Sequence, residues 1–307
     1  MNILAIVQWI VHRASTSRMW VRFLLAGPII LLALCYLPAE AKKAEPARAI
    51  LVFNRTTGTI ADQLNIHEAM PIASVTKLMT AYVVLESRAD LDEKLAVIPQ
   101  KIESSRVLRT GMVITRRELL NLALISSDNL AAKLLAVHHP DGYDSFINEM
   151  NTTAQRLGML DSHYIEPTGL LQNTSTAWDL HLLNQAIAKY KIFKDAAMSA
   201  SADTGAHTKR GIWQRFVIHN TNAFAGKHDI IIGKTGFTTP AGWCIDMCIG
   251  YQGQEFDIIV LGSPNKQVRN NLVASKLNDY MNFITRNAVI FKIDNFDGDA
   301  FIVTPWQ

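Results

Sequence analysis

Residues 229–237 read DIIIGKTGF, and Gly233-Lys234-Thr235 within them can be taken two ways. A phosphate-binding loop would need a glycine five residues before Gly233. His228 stands there, and the nearest upstream glycine, Gly226, is two residues too far. The isoleucine run before the motif and Gly236 after it describe instead a β-strand ending in a turn. Nucleotide binding is set aside on that ground.

Two further strand-like runs follow, GWCIDMCIGY at 242–251 and EFDIIVLGS at 255–263, joined by QGQ as a hairpin. At the other end, AILVFN (49–54) and IADQLN (60–65) flank the Gly-containing turn RTTGT. Between these runs the apolar spacing changes to three and four. It marks helices over 115–125, 127–139, 143–158 and 175–190, with Thr115, Ser127 and Ser175 as N-cap candidates. Ser74 to Glu86 is apolar nearly all round, as in a buried helix, and an amphipathic helix runs from about Lys266 to Ile284. Strands at both ends with helices between predict an α/β (α+β) fold. One antiparallel sheet is built from both ends of the chain, flanked by helices and carrying a helical lobe.

The chain has 307 residues, 49% hydrophobic and 19% charged, which is ordinary globular composition and excludes disorder. Its formal net charge is +3, and +1 once the three arginines and one glutamate of residues 1–41 are set aside. So neutral a body gives no reason to expect nucleic acid as partner. Arg13, Arg18 and Arg22 precede the apolar run Phe23–Leu37 and the small-x-small pattern Ala39-Glu40-Ala41. Residues 1–41 are therefore expected to be an export signal or, if uncleaved, an inner-membrane anchor, with Met19 offering a later start. The expected location is the periplasm. Cys244 and Cys248, four apart on one strand face, lie roughly 13 Å apart at about 3.3 Å per residue, too far to bridge. They are read as small core residues.

Chemistry enters at ASVTKLMT, residues 73–80. Ser74 and Lys77 fall one helical turn apart, so hydroxyl and amine share a face. Burial would lower the lysine pKa and make the neutral amine a base, activating a serine without histidine. Alone, Ser-x-x-Lys recurs by chance about once in a chain this long. Downstream, however, stand Ser127-Asp128-Asn129 in a loop between two helices and Lys234-Thr235-Gly236 on the strand. These three motifs, in this order and these contexts, form the signature of penicillin-recognising serine enzymes.

From about Ala47 to Leu277 the chain resembles the D-alanyl-D-alanine peptidases, the low-molecular-mass penicillin-binding proteins. ASVTKLMTAYVVLE, GMVITRRELLNLALISSDNLAA, MNTTAQRLGMLDSHYIEPTGL, STAWDL and KTGFTTPAGWC match family blocks in family order. The resemblance implies a β-lactamase/DD-peptidase-like catalytic domain over 47–286, a C-terminal extension over 287–307, and no metal or cofactor. It implies Ser74 as nucleophile, Lys77 as its base and Ser127 as proton relay. Asn129 would bind the substrate amide, and Lys234 and Thr235 a substrate carboxylate, with Lys234 repelling charge from Lys77. The backbone N–H groups of Ser74 and Phe237 would form the oxyanion hole beside Gly236. The implied substrate is a peptidoglycan stem peptide, lying beside the Lys234 strand, and β-lactams would be covalent inhibitors. With 71 residues after Gly236, the chain looks most like the endopeptidase branch, the penicillin-binding protein 7 type, which cuts cross-links; a carboxypeptidase is the alternative. His219 stands where many members have arginine, so recognition of a terminal carboxylate is expected to be weaker or pH-dependent, which favours internal bond cleavage. A serine β-lactamase would need a further base, for which Glu166 is the candidate. A binding-only penicillin sensor would need a linked signalling segment, and none is visible.

Overall fold

The structure is a computed structural model that describes residues 45–101 and 105–293, with side chains to 285. The expected signal over 1–41 and residues 294–307 lie outside the described residues. The strands are β1 (Ala49–Asn54), β2 (Thr59–Leu64), β3 (Met70–Pro71), β4 (Lys94–Ala96), β5 (Val113–Thr115), β6 (Thr174–Ser175), β7 (Ser201–His207), β8 (Trp213–His219), β9 (Asp229–Thr238), β10 (Gly242–Tyr251) and β11 (Gln254–Ser263). The helices are α1 (Lys77–Glu86), α2 (Arg116–Leu124), α3 (Asn129–Val137), α4 (Tyr143–Arg156), α5 (Ala177–Ile187), α6 (Lys191–Met198) and α7 (Lys266–Ile293).

The main sheet has the order β2-β1-β11-β10-β9, all antiparallel. β11 enters between the N-terminal strand and β10, with Ala49 opposite Leu261 and Phe53 opposite Asp257. β10 and β11 turn through Gln252 and Gly253, both at positive φ (48° and 76°), as a two-residue hairpin of matching twist requires. Both faces are buried along β1 and through the middle of β10 and β11, so these strands read as continuous apolar runs rather than alternating ones, whereas the edge strand β2 is largely exposed. On β1, Ala49, Leu51 and Phe53 face the helical lobe, whereas Ile50 and Val52 face the cluster of Val273, Leu277 and Tyr280 from α7. Cys244 and Cys248 are buried free thiols on the lobe side. Burial pushes the Cys244 thiol up to about 11 and that of Cys248 well above its ordinary value.

A second sheet, β4-β5-β7-β8, flanks the lobe. Residues 201–219, to which the sequence pattern assigned no element, pair in it from Ser201–His219 through His207–Trp213. Three helix starts differ from expectation. Ser74 lies in a 3-10 turn (Ala73–Thr76) that precedes α1 and has no side-chain cap. α3 is capped by Asp128 rather than Ser127, through a bond from the Ala131 N–H, and α5 by Thr176 rather than Ser175. Thr115 caps α2 in a full capping box with Glu118. α7 continues past Ile284 to Ile293.

Candidate active site

Three elements converge: the turn 73–76 with the first turn of α1, the loop before α3, and the end of β9. Ala73 has φ +48°, a left-handed conformation costing a non-glycine residue about 1 kcal/mol or more, and it sets the backbone of Ser74. Ser127, at φ +59°, is held the same way. Gly236 lets β9 lie against the turn. A Cβ there would stand 2.8 Å from Ile72 O and 2.9 Å from Ser74 N, both backbone atoms. On the other side passes the loop 166–170. Gly169, at φ +82°, crosses so close that a Cβ would fall 1.9 Å from Ala73 O.

Lys77 is fully buried, and its Nζ lies 2.8 Å from Ser74 Oγ, 2.8 Å from Asn129 Oδ1 and 2.6 Å from Thr168 O. Asn129 Oδ1 and Thr168 O are acceptors only. A neutral amine therefore spends its two N–H groups on them, and its lone pair is left for the Ser74 hydroxyl. Burial supplies that neutral form by lowering the Lys77 pKa to about 7, against the opposing pull of Glu166 and Asp128. The Asp128 carboxyl is itself raised, because it too is buried.

Lys234 is also buried, donating to Ser127 Oγ at 2.8 Å and to Thr235 O at 2.9 Å. Its pKa lies well below the ordinary value, first through burial and then through repulsion by Lys77 and Arg269. The like-charge repulsion expected to hold Lys77 neutral thus burdens Lys234. Lys77 owes its shift to desolvation. The Thr235 hydroxyl donates to Thr221 Oγ1 at 2.7 Å, and β9 forms an open edge of the main sheet. The half-exposed Phe237 ring stacks on Trp243, with centroids 4.3 Å apart.

All eight candidate residues thus lie on these three elements: Ser74 and Lys77; Ser127 and Asn129; Lys234, Thr235, Gly236 and Phe237. Glu166 is built differently from the water-activating base a β-lactamase needs. One carboxylate oxygen accepts from Thr168 N–H (2.7 Å) and Thr168 Oγ1 (2.6 Å), the other from Gly169 N–H and Asn173 Nδ2 (3.3 Å). Its role is to shape the loop that offers Thr168 O to Lys77. Asn173 completes that anchor by donating to Thr76 Oγ1 at 3.1 Å and Glu166 O at 2.7 Å. Thr168, Asn173 and Thr221 carried no sequence signal: Thr168 serves Lys77 through its backbone carbonyl, and Asn173 and Thr221 reach Thr76 and Thr235 from distant parts of the chain. His219 ends β8 in solvent, two residues before Thr221.

Residues 38–265 match the model of a family described as D-alanyl-D-alanine carboxypeptidase. A D-alanyl-D-alanine endopeptidase of Pseudomonas aeruginosa is 37% identical over 224 residues, covering 70% of this chain and 71% of that one. One from Escherichia coli is 39% identical over 203 residues, 64% of each chain. Among solved structures, a variant of a Streptomyces DD-transpeptidase superposes with a TM-score of 0.71 at 27% identity, over 77% of this chain and 98% of that one. A Listeria monocytogenes penicillin-binding protein, solved with ampicillin bound, gives 0.66 at 27%, over 76% and 96%. The three motifs and the fold that gathers them are accounted for together: this chain belongs to the D-alanyl-D-alanine carboxypeptidase family and is a serine D-Ala-D-Ala peptidase.

Proposed function

We propose that the protein is an exported endopeptidase that cleaves D-alanyl cross-links between peptidoglycan stem peptides through an acyl-enzyme on Ser74. The observation that carries the chemistry is the buried Lys77 amine, its N–H groups committed to Asn129 and Thr168 and its lone pair left for Ser74 Oγ. Ser74 Oγ attacks the carbonyl of the D-alanyl bond as its proton passes to Lys77. The tetrahedral oxyanion is met by the N–H groups of Ser74 and Phe237. Such a donor is worth roughly 3–4 kcal/mol where a single one has been removed elsewhere. Ser127, bonded to Lys234 at 2.8 Å, returns a proton to the leaving amine, and Asn129 holds the substrate amide. The substrate backbone adds to the open edge of β9. A substrate carboxylate reaching Lys234 and Thr235 restores the charge that burial removes from Lys234.

Cutting an internal bond is supported by the two endopeptidase relatives and by His219 at the position where many members carry arginine. Export is supported by the basic, apolar and small-x-small sequence of residues 1–41, which points to the periplasm with an uncleaved anchor as the variant form. Among the described residues no helix is long and apolar enough to cross a membrane.

The test is mass spectrometry of purified muropeptides after incubation with the protein. Cross-linked dimers should disappear while pentapeptide monomers persist; monomers shortened by one alanine with dimers intact would make it a carboxypeptidase. A fluorescent penicillin should label the wild type covalently, and Ser74→Ala should lose all labelling. Labelling that survives in Ser74→Ala would remove Ser74 from the mechanism.

A further inference from the structure

One face of the β7–β8 hairpin is turned to solvent along its whole length. The other packs Phe216, Ile218 and Ala206 into the core. The exposed face runs from Trp213 through Val217 to His219, about 20 Å at roughly 3.3 Å per residue. It stops two residues short of Thr221, whose hydroxyl is bonded to Thr235 in the active site. The strip therefore ends two residues along the chain from a side chain that touches the catalytic strand.

Its outer end is constructed rather than merely exposed. Gly205 lies beneath the indole of Trp213, and a Cβ there would stand 2.3 Å from Trp213 Cζ2. Glycine at 205 thus lets the ring lie flat across the strand. His207 braces the indole edge-on, with centroids 5.1 Å apart. The ring remains 50% exposed. The tip itself is fixed. Thr208 N–H donates to Ile212 O at 2.8 Å, and the Lys209 stem lies over Gly111, within 2.0 Å of where a Cβ would be. Lys209 and Arg210 are exposed and have no ion-pair partner among the described residues, whereas Asp203 is neutralised by a two-pronged bond to Arg215 at 2.8 and 2.7 Å. A half-exposed indole beside exposed cations suits a sugar ring attached to carboxylate-bearing chains.

We propose that the β7–β8 hairpin is a second binding site for the enzyme's polymeric substrate, stacking a pyranose of the peptidoglycan glycan strand on Trp213, with Lys209 and Arg210 meeting carboxylates of its peptide stems. This rests on the reading that peptidoglycan is the substrate. The hairpin holds the polymer while the cleft, one strand length away, receives a stem peptide. A flat indole, seated on the strand rather than projecting from the tip, favours a sugar over a membrane surface.

The test is pelleting with purified sacculi, using proteins that all carry Ser74→Ala so that the polymer survives. Adding Trp213→Ala should weaken pelleting about tenfold or more, as loss of a central aromatic contact does, whereas Trp213→Phe should keep most of it. Glycan strands stripped of peptide should compete. In the Ser74-intact background, Trp213→Ala should leave penicillin labelling and cleavage of a sugar-free cross-linked peptide unchanged, while digestion of sacculi slows. Unchanged pelleting by Trp213→Ala would overturn the proposal, as would failure of free glycan to compete. Equal loss of binding to anionic lipid vesicles would assign the hairpin to a membrane instead and also overturn it. A wild-type protein that neither labels with penicillin nor cleaves the sugar-free peptide would fail differently, overturning the peptidase reading itself.

Discussion

At the scale of single residues, the site turns on a lysine whose proton count is set by burial. With its pKa lowered to about 7, Lys77 is largely protonated in mildly acidic solution and largely neutral above neutrality. Only the neutral form can take the Ser74 proton, so acylation should rise with pH through about 7 and level off above it. At pH 5 only about 1% of a group with that pKa is neutral, and acylation should be about a hundredfold below its plateau. A stopped-flow profile of penicillin acylation checks this, and a flat profile from pH 5 to 8 would remove Lys77 as the base. Lys77→Arg should lose acylation by about a thousandfold or more at every pH, since a guanidinium keeps its proton. The lysine's burial beside Ser74 was legible in the sequence because Ser-x-x-Lys sits in an apolar helix. The carbonyl of Thr168 that completes its geometry was not, because it comes from a loop 91 residues away and any residue has a carbonyl.

At the scale of elements, the cleft exists because two glycines let a strand and a loop press on the turn that carries Ser74. Their neighbours are backbone atoms, which cannot swing aside as a side chain can. Gly236→Ala should push β9 away from Ser74 N and misplace the Phe237 N–H by tenths of an ångström. The expected loss in acylation rate is about a hundredfold or more, in a protein that still melts cooperatively. Gly169→Ala, with 1.9 Å to Ala73 O and φ at +82°, should instead fail to accumulate folded. Wild-type labelling by a folded Gly236→Ala would show that β9 does not set the oxyanion site. The main-sheet strands were legible from their apolar runs, α1 from being apolar nearly all round, and α2 to α5 from their spacing. The β7–β8 hairpin was not: Ser201–His207 holds alanine, glycine and aspartate, poor strand formers, and its turn lacks the Asn-Gly or Asp-Gly pair that marks a tight hairpin. The caps of α3 and α5 were misplaced by one residue because Ser127-Asp128 and Ser175-Thr176 each offer two capping side chains in a row. Only backbone angles choose between them.

At the scale of the molecule, a sheet made from both chain ends must be joined to a lobe made from the middle, and a buried polar seam does so. From α5, His181 Nδ1 meets Asp257 Oδ2 at 2.5 Å, and Asn184 Nδ2 donates to Asp246 Oδ1 at 2.7 Å and Asp257 Oδ1 at 3.2 Å. Asp246 faces Lys234 in the strand register, so the seam lies under the catalytic strand. Burial lifts the Asp246 carboxyl well above the ordinary aspartate value, with the neighbouring Asp257 charge adding to it, and its Oδ2 and Asn184 Oδ1 have no hydrogen-bond partner among the described residues. The native protein therefore keeps a proton at Asp246 that the unfolded chain releases near pH 3.9. Above that value the unfolded state binds fewer protons, so folding stability falls as pH rises, by about 1.4 kcal/mol per unit at most, until the native group ionises. Asp246→Asn has the same shape, keeps an acceptor for Asn184 Nδ2, supplies N–H groups where the protonated acid had one, and cannot ionise. Its melting temperature should match the wild type near pH 4 and exceed it increasingly as pH rises from there, until the native Asp246 ionises. Parallel curves for the two proteins would mean that Asp246 is ionised in the native state. Stability would then be held by charge pairing across the seam rather than limited by the cost of keeping one acid neutral within it.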